Sequence, residues 1–128
     1  MSKENRSILV IDDDEDCRSM VRTILEDKGF EVTTGCNGVE AVEIMEKIDK
    51  PALIILDIMM PEMNGYQVVE RMKLNPKLQN IPIMMVTAKA SDEDVIEGYK
   101  TYAVDYYITK PFNTRQLLAG IKLILGYI

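Results

Sequence analysis

Short apolar runs alternate along this chain with longer segments whose apolar residues recur every three or four positions. A short apolar run between turn residues is typical of a buried strand, and the longer spacing is typical of a helix. Five such pairs are too few for an eight-stranded barrel. We therefore predict an α/β fold, with an open, doubly wound parallel sheet and helices on both faces. The predicted strands cover residues 8–11, 30–34, 52–56, 81–86 and 105–109.

Five helices are predicted, one after each strand. The first runs from about Glu15 to Lys28, where the following glycine is a stop signal. Asn64 is the expected N-cap of the third. Because 128 residues fit one ordinary domain and no linker is visible, we predict a single domain over residues 1–128. The fourth helix is predicted from a capping box at Ser91 and Asp94 to about Thr101, and the fifth carries the stripe Leu117, Leu118, Ile121, Ile124 and Leu125.

Composition excludes several classes of function. The net charge is −6 and no run of Lys and Arg offsets it, so we expect no direct binding to nucleic acid. No apolar run approaches the ~20 residues of a membrane helix, and no leader pattern is visible, so a cytoplasmic protein is expected. The chain has no histidine, which excludes imidazole metal sites and Ser-His triads. Cys17 and Cys36 form no C-x-x-C pair and are expected to be reduced.

Polar side chains that could bind a ligand or take part in a reaction follow four of the five predicted strands. In parallel sheets the carboxyl ends of the strands meet at one edge, where ligands bind. We therefore expect these side chains to converge on one site. They are Asp12 and Asp13 after the first strand, Asp57 after the third, Thr87 after the fourth and Lys110 after the fifth, with Ala88 following Thr87 and Pro111 following Lys110.

The charges at this predicted site require a counter-ion. Two carboxylates ~4 Å apart repel by ~4 kcal/mol at an effective dielectric constant of ~20, and Lys110 alone cannot offset three of them. Either a carboxyl group is protonated or a cation binds, and oxygen ligands without His or Cys suit Mg²⁺. If Asp57 attacked a phosphoryl donor, the ion, Lys110 and the Thr87 hydroxyl would be available to the phosphoryl oxygens, and Ala88 would leave space for them.

The same residues make the chain resemble the receiver domain of two-component response regulators over essentially its whole length. The resemblance is carried by Asp12-Asp13, by Asp57 with Pro61 and Gly65 downstream, by Thr87-Ala88 and by Lys110-Pro111-Phe112. It implies that Asp57 accepts a phosphoryl group from a sensor histidine kinase or a histidine phosphotransfer protein. It also implies the flavodoxin-like strand order 2-1-3-4-5, a downstream effector or fused output domain, and a monomer before phosphorylation.

The resemblance assigns a role to each site residue. Asp13 and Asp57 would bind Mg²⁺ directly together with the carbonyl group of Met59, and Asp12 would act through metal-bound water. Lys110 would contact a phosphoryl oxygen, and the peptide bond before Pro111 is expected to be cis.

A conformational switch is also implied by the resemblance. The phosphoryl group would attract the hydroxyl of Thr87, and the ring of Tyr107 would turn inward. These movements would remodel a partner-binding face made of the fourth predicted helix, the fifth strand and the fifth predicted helix. Its aromatic residues are expected to be Tyr99, Tyr102, Tyr106 and Tyr107, although half-buried packing is the alternative interpretation.

The chain departs from the family pattern at several positions. Met59 and Lys89 lie where the family tunes phosphoryl lifetime, and neither is an obvious general base for water, so slow self-dephosphorylation is predicted. Ala103 follows a tyrosine where many members have Gly-Ala. Gln116 and Ala119 break the charged pattern of members that dimerise through this face, and we predict no such dimer.

Rival interpretations fit the sequence less well. An EF-hand would need Gly in place of Cys17 and Glu in place of Thr23. A nucleotide or flavin domain would need a glycine-rich turn after the first strand, where this chain has carboxylates. A haloacid dehalogenase type of phosphatase would need an acid where Met59 lies, so no enzyme activity beyond self-phosphorylation and self-dephosphorylation is expected. A degenerate receiver that binds partners without phosphate is the non-enzymatic alternative.

Overall fold

The protein is described by a computed structural model that covers residues 5–88, 96 and 100–128. Its strands form one parallel sheet in the order β2-β1-β3-β4-β5, as the resemblance implied. This is the open, flavodoxin-like α/β sheet expected from the alternating pattern. The strands are β1 (Ser7–Ile11), β2 (Glu31–Gly35), β3 (Leu53–Asp57), β4 (Ile83–Thr87) and β5 (Tyr106–Thr109).

Four α-helices are complete within the described residues. Side chains cap all four N-termini: Asn64 does so as predicted, in a capping box with Gln67. The fourth predicted helix lies largely outside the described residues, including its proposed capping box; the described Ile96, Lys100 and Thr101 are helical. The helices are α1 (Glu15–Asp27), α2 (Gly38–Lys47), α3 (Gly65–Lys73) and α4 (Thr114–Leu125), the last being the fifth predicted helix, and a 3-10 turn covers Pro76–Leu78.

Alternate side chains of the strands pack into two hydrophobic cores, one on each face of the sheet. In β1, Leu9 faces the helices α2 and α3, and Val10 faces α1 and α4. Both faces of a parallel sheet are covered in this way, so its central strands are apolar without interruption. All five residues of β3 are buried, which leaves Asp57 at the end of a strand that has no solvated face.

The strand bounds lie within one residue of the prediction except at the start of β4, which lies two residues later. β4 begins at Ile83, not at residue 81, because Pro82 has no N–H to donate to the ladder, although its carbonyl accepts a bond from Ile54. β3 extends one residue further than predicted, through Asp57 itself, whose partner in β4 is Val86. The acidic residue therefore belongs to the sheet and not to the loop after it.

Residues near the two ends of the described chain contact each other. The hydroxyl of Tyr127 donates a hydrogen bond to the carbonyl of Asn5. The guanidinium of Arg6 lies 4.2 Å from the ring centre of Phe30 and 5.9 Å from that of Tyr127. Cation–π contacts of this kind stabilise the amino edge of the sheet, opposite the edge where Asp57 lies.

Within the part of the chain that the structure describes, no helix combines the length and apolar character needed to cross a bilayer.

Candidate functional site

Asp57 is the central acidic residue of the carboxyl edge of the sheet. It is the last residue of β3 and only 4% exposed. One carboxylate oxygen, Oδ1, accepts a hydrogen bond of 3.1 Å from the backbone N–H of Met59. The side chain of Met59 is 67% exposed at the mouth of the site. The turn after β3 therefore orients the carboxylate through its backbone and leaves Oδ2 facing the other charged groups.

Lys110 joins Asp57 to Asp12. Its Nζ lies 3.0 Å from Oδ2 of Asp12 and 3.4 Å from Oδ2 of Asp57. The backbone of Lys110 is fixed in turn, because its N–H donates to the carbonyl of Thr87 at 2.8 Å. One ammonium group, on the residue after the edge strand β5, thus pairs with two buried carboxylates at the ends of β1 and β3.

Three carboxylates converge at this edge. Asp12, Asp13 and Asp57 each offer an oxygen atom, and these atoms lie within 4.8 Å of one another. Asp12 and Asp57 are buried, and Asp13 is exposed to solvent. Hard oxygen ligands, several of them carboxylates, with one side open to water are the donor set that suits Mg²⁺. The residues present therefore fit a magnesium ion.

The electrostatics of the cluster favour the same conclusion. Burial first, and then the charge and hydrogen bonding of Asp12, raise the pKa of Asp57 to about 7, although Lys110 and the Met59 N–H act in the opposite direction. Burial disfavours the ammonium of Lys110, but its hydrogen bond to Asp12 and the charges of Asp12 and Asp57 outweigh burial and raise its pKa. A divalent cation would relieve the repulsion that keeps a proton on Asp57 near neutral pH.

The remaining predicted residues lie at the same edge. Thr87 is the last residue of β4 and is 1% exposed, and Ala88 follows it at the surface. The Lys110–Pro111 peptide bond is cis, as the resemblance implied. Lys89, the other position predicted to tune phosphoryl lifetime, lies outside the described residues.

The two tyrosines of β5 lie on opposite faces of the sheet. Tyr107 packs against the core on the α2 and α3 side, together with Tyr66 and Tyr102. Tyr106 packs against the opposite core, as the alternation of side chains along β5 requires. Both Tyr106 and Tyr107 are half-buried, and Tyr99 lies outside the described residues. Tyr106 therefore packs on the α4 side of β5 and Tyr107 on the α3 side, and the partner-binding role of this face stays a prediction.

Two contacts at the site were not anticipated. Arg18 of α1 donates a hydrogen bond of 2.7 Å from Nη1 to the carbonyl of Asp12, which ties the helix to the acidic loop. Burial, together with a hydrogen bond to Asp12, raises the pKa of Cys17 to about 12. The i, i+1 spacing of Cys17 and Arg18 on the first turn of α1 was visible, but only the register of the helix on β1 shows that both face Asp12.

Gly65, noted in the sequence only as part of the motif, has a steric role. A Cβ atom on it would lie 2.7 Å from the carbonyl oxygen of Asp57 and 3.0 Å from Cα of Ile58. Its N–H donates to the carbonyl of Ile58 at 2.9 Å. Only glycine allows α3 to begin this close to the acidic strand end.

The comparisons with known proteins agree with this arrangement. Residues 8–122 match the response regulator receiver domain family. The chain therefore belongs to the receiver domains of response regulators.

Among curated relatives, the transcriptional regulatory protein CpxR homolog of Haemophilus influenzae is 42% identical over 118 residues, which is 92% of this chain and 49% of that protein. The alkaline phosphatase synthesis transcriptional regulatory protein PhoP of Bacillus subtilis is 40% identical over 94% of this chain and 49% of its own length. The chain spans about half the length of the curated relatives it matches.

Solved structures show the same fold. The chemotaxis protein CheY4 of Vibrio cholerae is 33% identical with a TM-score of 0.89, over 95% of this chain and 100% of that one. The receiver domain of a sensor histidine kinase from Pseudomonas aeruginosa shares the fold at 22% identity, with a TM-score of 0.83 over 96% of this chain and 99% of its own. That structure has a magnesium ion coordinated in its active site cleft.

Proposed function

We propose that this chain is a phosphoacceptor receiver, in which Asp57 takes a phosphoryl group from the phosphohistidine of a sensor histidine kinase or a histidine phosphotransfer protein. The observation that carries the proposal is the convergence of three carboxylate oxygens within 4.8 Å beside the ammonium of Lys110. A structural ion pair would need one carboxylate for one lysine; an excess of buried negative charge indicates a site for a cation and an electrophile.

In the proposed transfer a carboxylate oxygen of Asp57 attacks phosphorus and forms the O–P bond, while the N–P bond of the donor breaks. The electron pair of that bond stays on the donor's imidazole nitrogen, which takes a proton from solvent. The acyl phosphate bears more negative charge than the carboxylate, so Lys110 would contact its oxygens with the Thr87 hydroxyl. Asp12, Asp13, Asp57 and the Met59 carbonyl would hold Mg²⁺, which when bound neutralises charge on the transferring group.

We further propose that the phosphoryl group acts on Thr87 and Tyr107 and changes binding to an effector protein or a fused output domain. Tyr107 lies in β5 beside β4, which ends at Thr87, and the two strands are hydrogen bonded in register. Tyr107 is half-buried on the α3 side of β5, so a movement of β4 would change the packing of its ring. The chain is not proposed to turn over any substrate other than its own phosphoryl group.

One experiment tests the phosphoacceptor role. The chain is incubated with acetyl phosphate and Mg²⁺ and its intact mass is measured. A single adduct that hydroxylamine removes is expected, and Asp57→Asn should abolish it while the exposed control Asp49→Asn retains it. No adduct on the wild-type chain would favour a degenerate receiver, and repeated turnover of a phosphate ester would favour a phosphatase.

A further inference from the structure

Two tyrosine hydroxyls join α3 to β5. The oxygen atoms of Tyr66 and Tyr107 lie 2.8 Å apart, in a partly buried contact between residues 41 positions apart in sequence. Tyr66 is the second residue of α3, and Tyr107 is the second residue of β5. At this distance one phenol donates a hydrogen bond to the other, which fixes the direction of both side chains.

Tyr66 lies next to the residue of α3 that packs against the strand end. The preceding Gly65 bonds to the carbonyl of Ile58 and has no room for a side chain beside the carbonyl of Asp57. A displacement of the Asp57 backbone would therefore move the first turn of α3, because a close-packed contact cannot absorb it. The Tyr66 phenol is attached to that turn.

The ring of Tyr66 also packs against the ring of Tyr102. It lies 4.6 Å from the ring of Tyr102, with the ring planes tilted by 31°. The Tyr102 hydroxyl donates to Oε1 of Glu70 at 3.2 Å, and Nζ of Lys73 donates to the carbonyl of Thr101 at 2.6 Å. Three residues of α3 thus contact the segment that leads into β5, and Tyr66 is fixed within this set of contacts.

We propose that Tyr66 is a positioning residue for Tyr107: its hydroxyl holds the Tyr107 ring against α3 and couples the ring's position to the backbone around Asp57. The proposal rests on the proposed function insofar as Tyr107 is the switch residue. A neutral hydrogen bond contributes about 1 kcal/mol net, so its loss shifts a two-position equilibrium of Tyr107 by about fivefold.

The first test uses the chain without phosphoryl donor or metal. The protein is labelled with 3-fluorotyrosine, and its six tyrosine signals are assigned by single Tyr→Phe variants. Tyr66→Phe should shift or broaden the Tyr107 signal, because it removes one hydroxyl and retains the ring. Tyr106→Phe, on the opposite face of the sheet, should leave it in place. A Tyr107 signal unchanged by Tyr66→Phe overturns the proposal.

The second test separates positioning from mere packing. The apparent affinity for beryllium fluoride with Mg²⁺, a phosphoryl mimic, is measured for each variant. By reciprocity of coupling, Tyr66→Phe should change it by about fivefold, and the change should vanish in a Tyr107→Phe background. An affinity the same in Tyr66→Phe and wild type overturns the coupling. If the wild-type chain does not bind the mimic, the phosphoacceptor role fails, and the fluorine spectrum alone decides the positioning of Tyr107.

Discussion

A Cβ atom added to Gly65 would lie 2.7 Å from the carbonyl oxygen of Asp57, closer than real side chains come to a backbone oxygen. Gly65→Ala must therefore displace either the start of α3 or the backbone that carries the acidic residue. Because misplacement of reacting groups by about 1 Å can cost ~100-fold in rate, we expect phosphorylation by acetyl phosphate to slow by at least about tenfold. The rate is measured by intact-mass spectrometry of samples quenched at successive times, at a fixed Mg²⁺ concentration.

A matched glycine provides the control for this prediction. A Cβ on Gly120 of α4 would meet the end of Met84 and the ring of Tyr106 at 2.8 Å, which are side chains on the other face of the sheet. Gly120→Ala should lower stability by about 1–3 kcal/mol through overpacking and leave the phosphorylation rate within about twofold. Equal rate losses in both variants would refute a specific role for Gly65.

The raised pKa of Asp57 makes the metal-free protein less stable as pH rises. The folded-state pKa is about 7 against an ordinary 3.8. The stability that the protonated carboxyl group contributes is therefore fully present below about pH 4 and is lost as pH rises to about 7. At pH 8 without metal, Asp57→Asn should raise the free energy of unfolding by about 1–3 kcal/mol, and at pH 5 by much less. Urea unfolding in a chelator measures both, with Asp49→Asn as the surface control.

Magnesium affinity should depend on pH for the same reason. Because the ion must displace a proton from Asp57, apparent affinity should fall by up to about tenfold per pH unit below the pKa of about 7 and level off above it. Calorimetric titration between pH 5.5 and 8.5 follows this directly. A flat profile would mean that Asp57 is ionised throughout the range.

Ala103 adopts a left-handed backbone conformation, with φ of 53°. A side chain in this region costs about 1 kcal/mol relative to glycine, so Ala103→Gly should stabilise the domain by about 0.5–1 kcal/mol. The same exchange at the exposed helical Ala119 should destabilise it by about as much. Opposite signs in denaturant unfolding are the expected result; a loss of stability in both variants would contradict the strain at Ala103.

Met59 is exposed beside Asp57, and its thioether cannot take a proton from water. We expect slow loss of the phosphoryl group in the wild-type chain. Met59→Asn should accelerate it by about three- to tenfold, because an amide can orient the attacking water. Decay of the adduct after removal of acetyl phosphate gives the rate, and Met20→Asn on α1 is a surface control. Equal decay rates in Met59→Asn and wild type would show that Met59 does not set the lifetime of the phosphoryl group.

Much of the site was visible in the sequence because buried strands point their last residues to one edge. Asp12, Asp57, Thr87 and Lys110 each follow an apolar run, and the topology brings them together without any further contact having to be known. The faces of Tyr106 and Tyr107 were also implied, because neighbouring residues of a strand point to opposite sides of the sheet. The core against which each ring packs depends on the tertiary fold, which the clustering of tyrosines along the chain does not define.

Contacts set by tertiary register could not be predicted in this way. The hydroxyl contact between Tyr66 and Tyr107 depends on how far α3 is displaced along β5, and the bond from Arg18 to Asp12 depends on the rotation of α1. The pKa of Asp57 likewise follows from the depth of its burial, which the motif alone does not define.

The hydrogen bond between Tyr127 and Asn5 brings both extremities of the described chain to the amino edge of the sheet, whereas the acidic residues occupy the carboxyl edge. With β1 of five residues between them, the two edges are separated by roughly 17 Å. A fluorophore, an affinity handle or a short peptide bridge joining residue 127 to residue 5 would therefore stand clear of the carboxylates, and a circularly permuted variant opened elsewhere on the surface should retain their geometry.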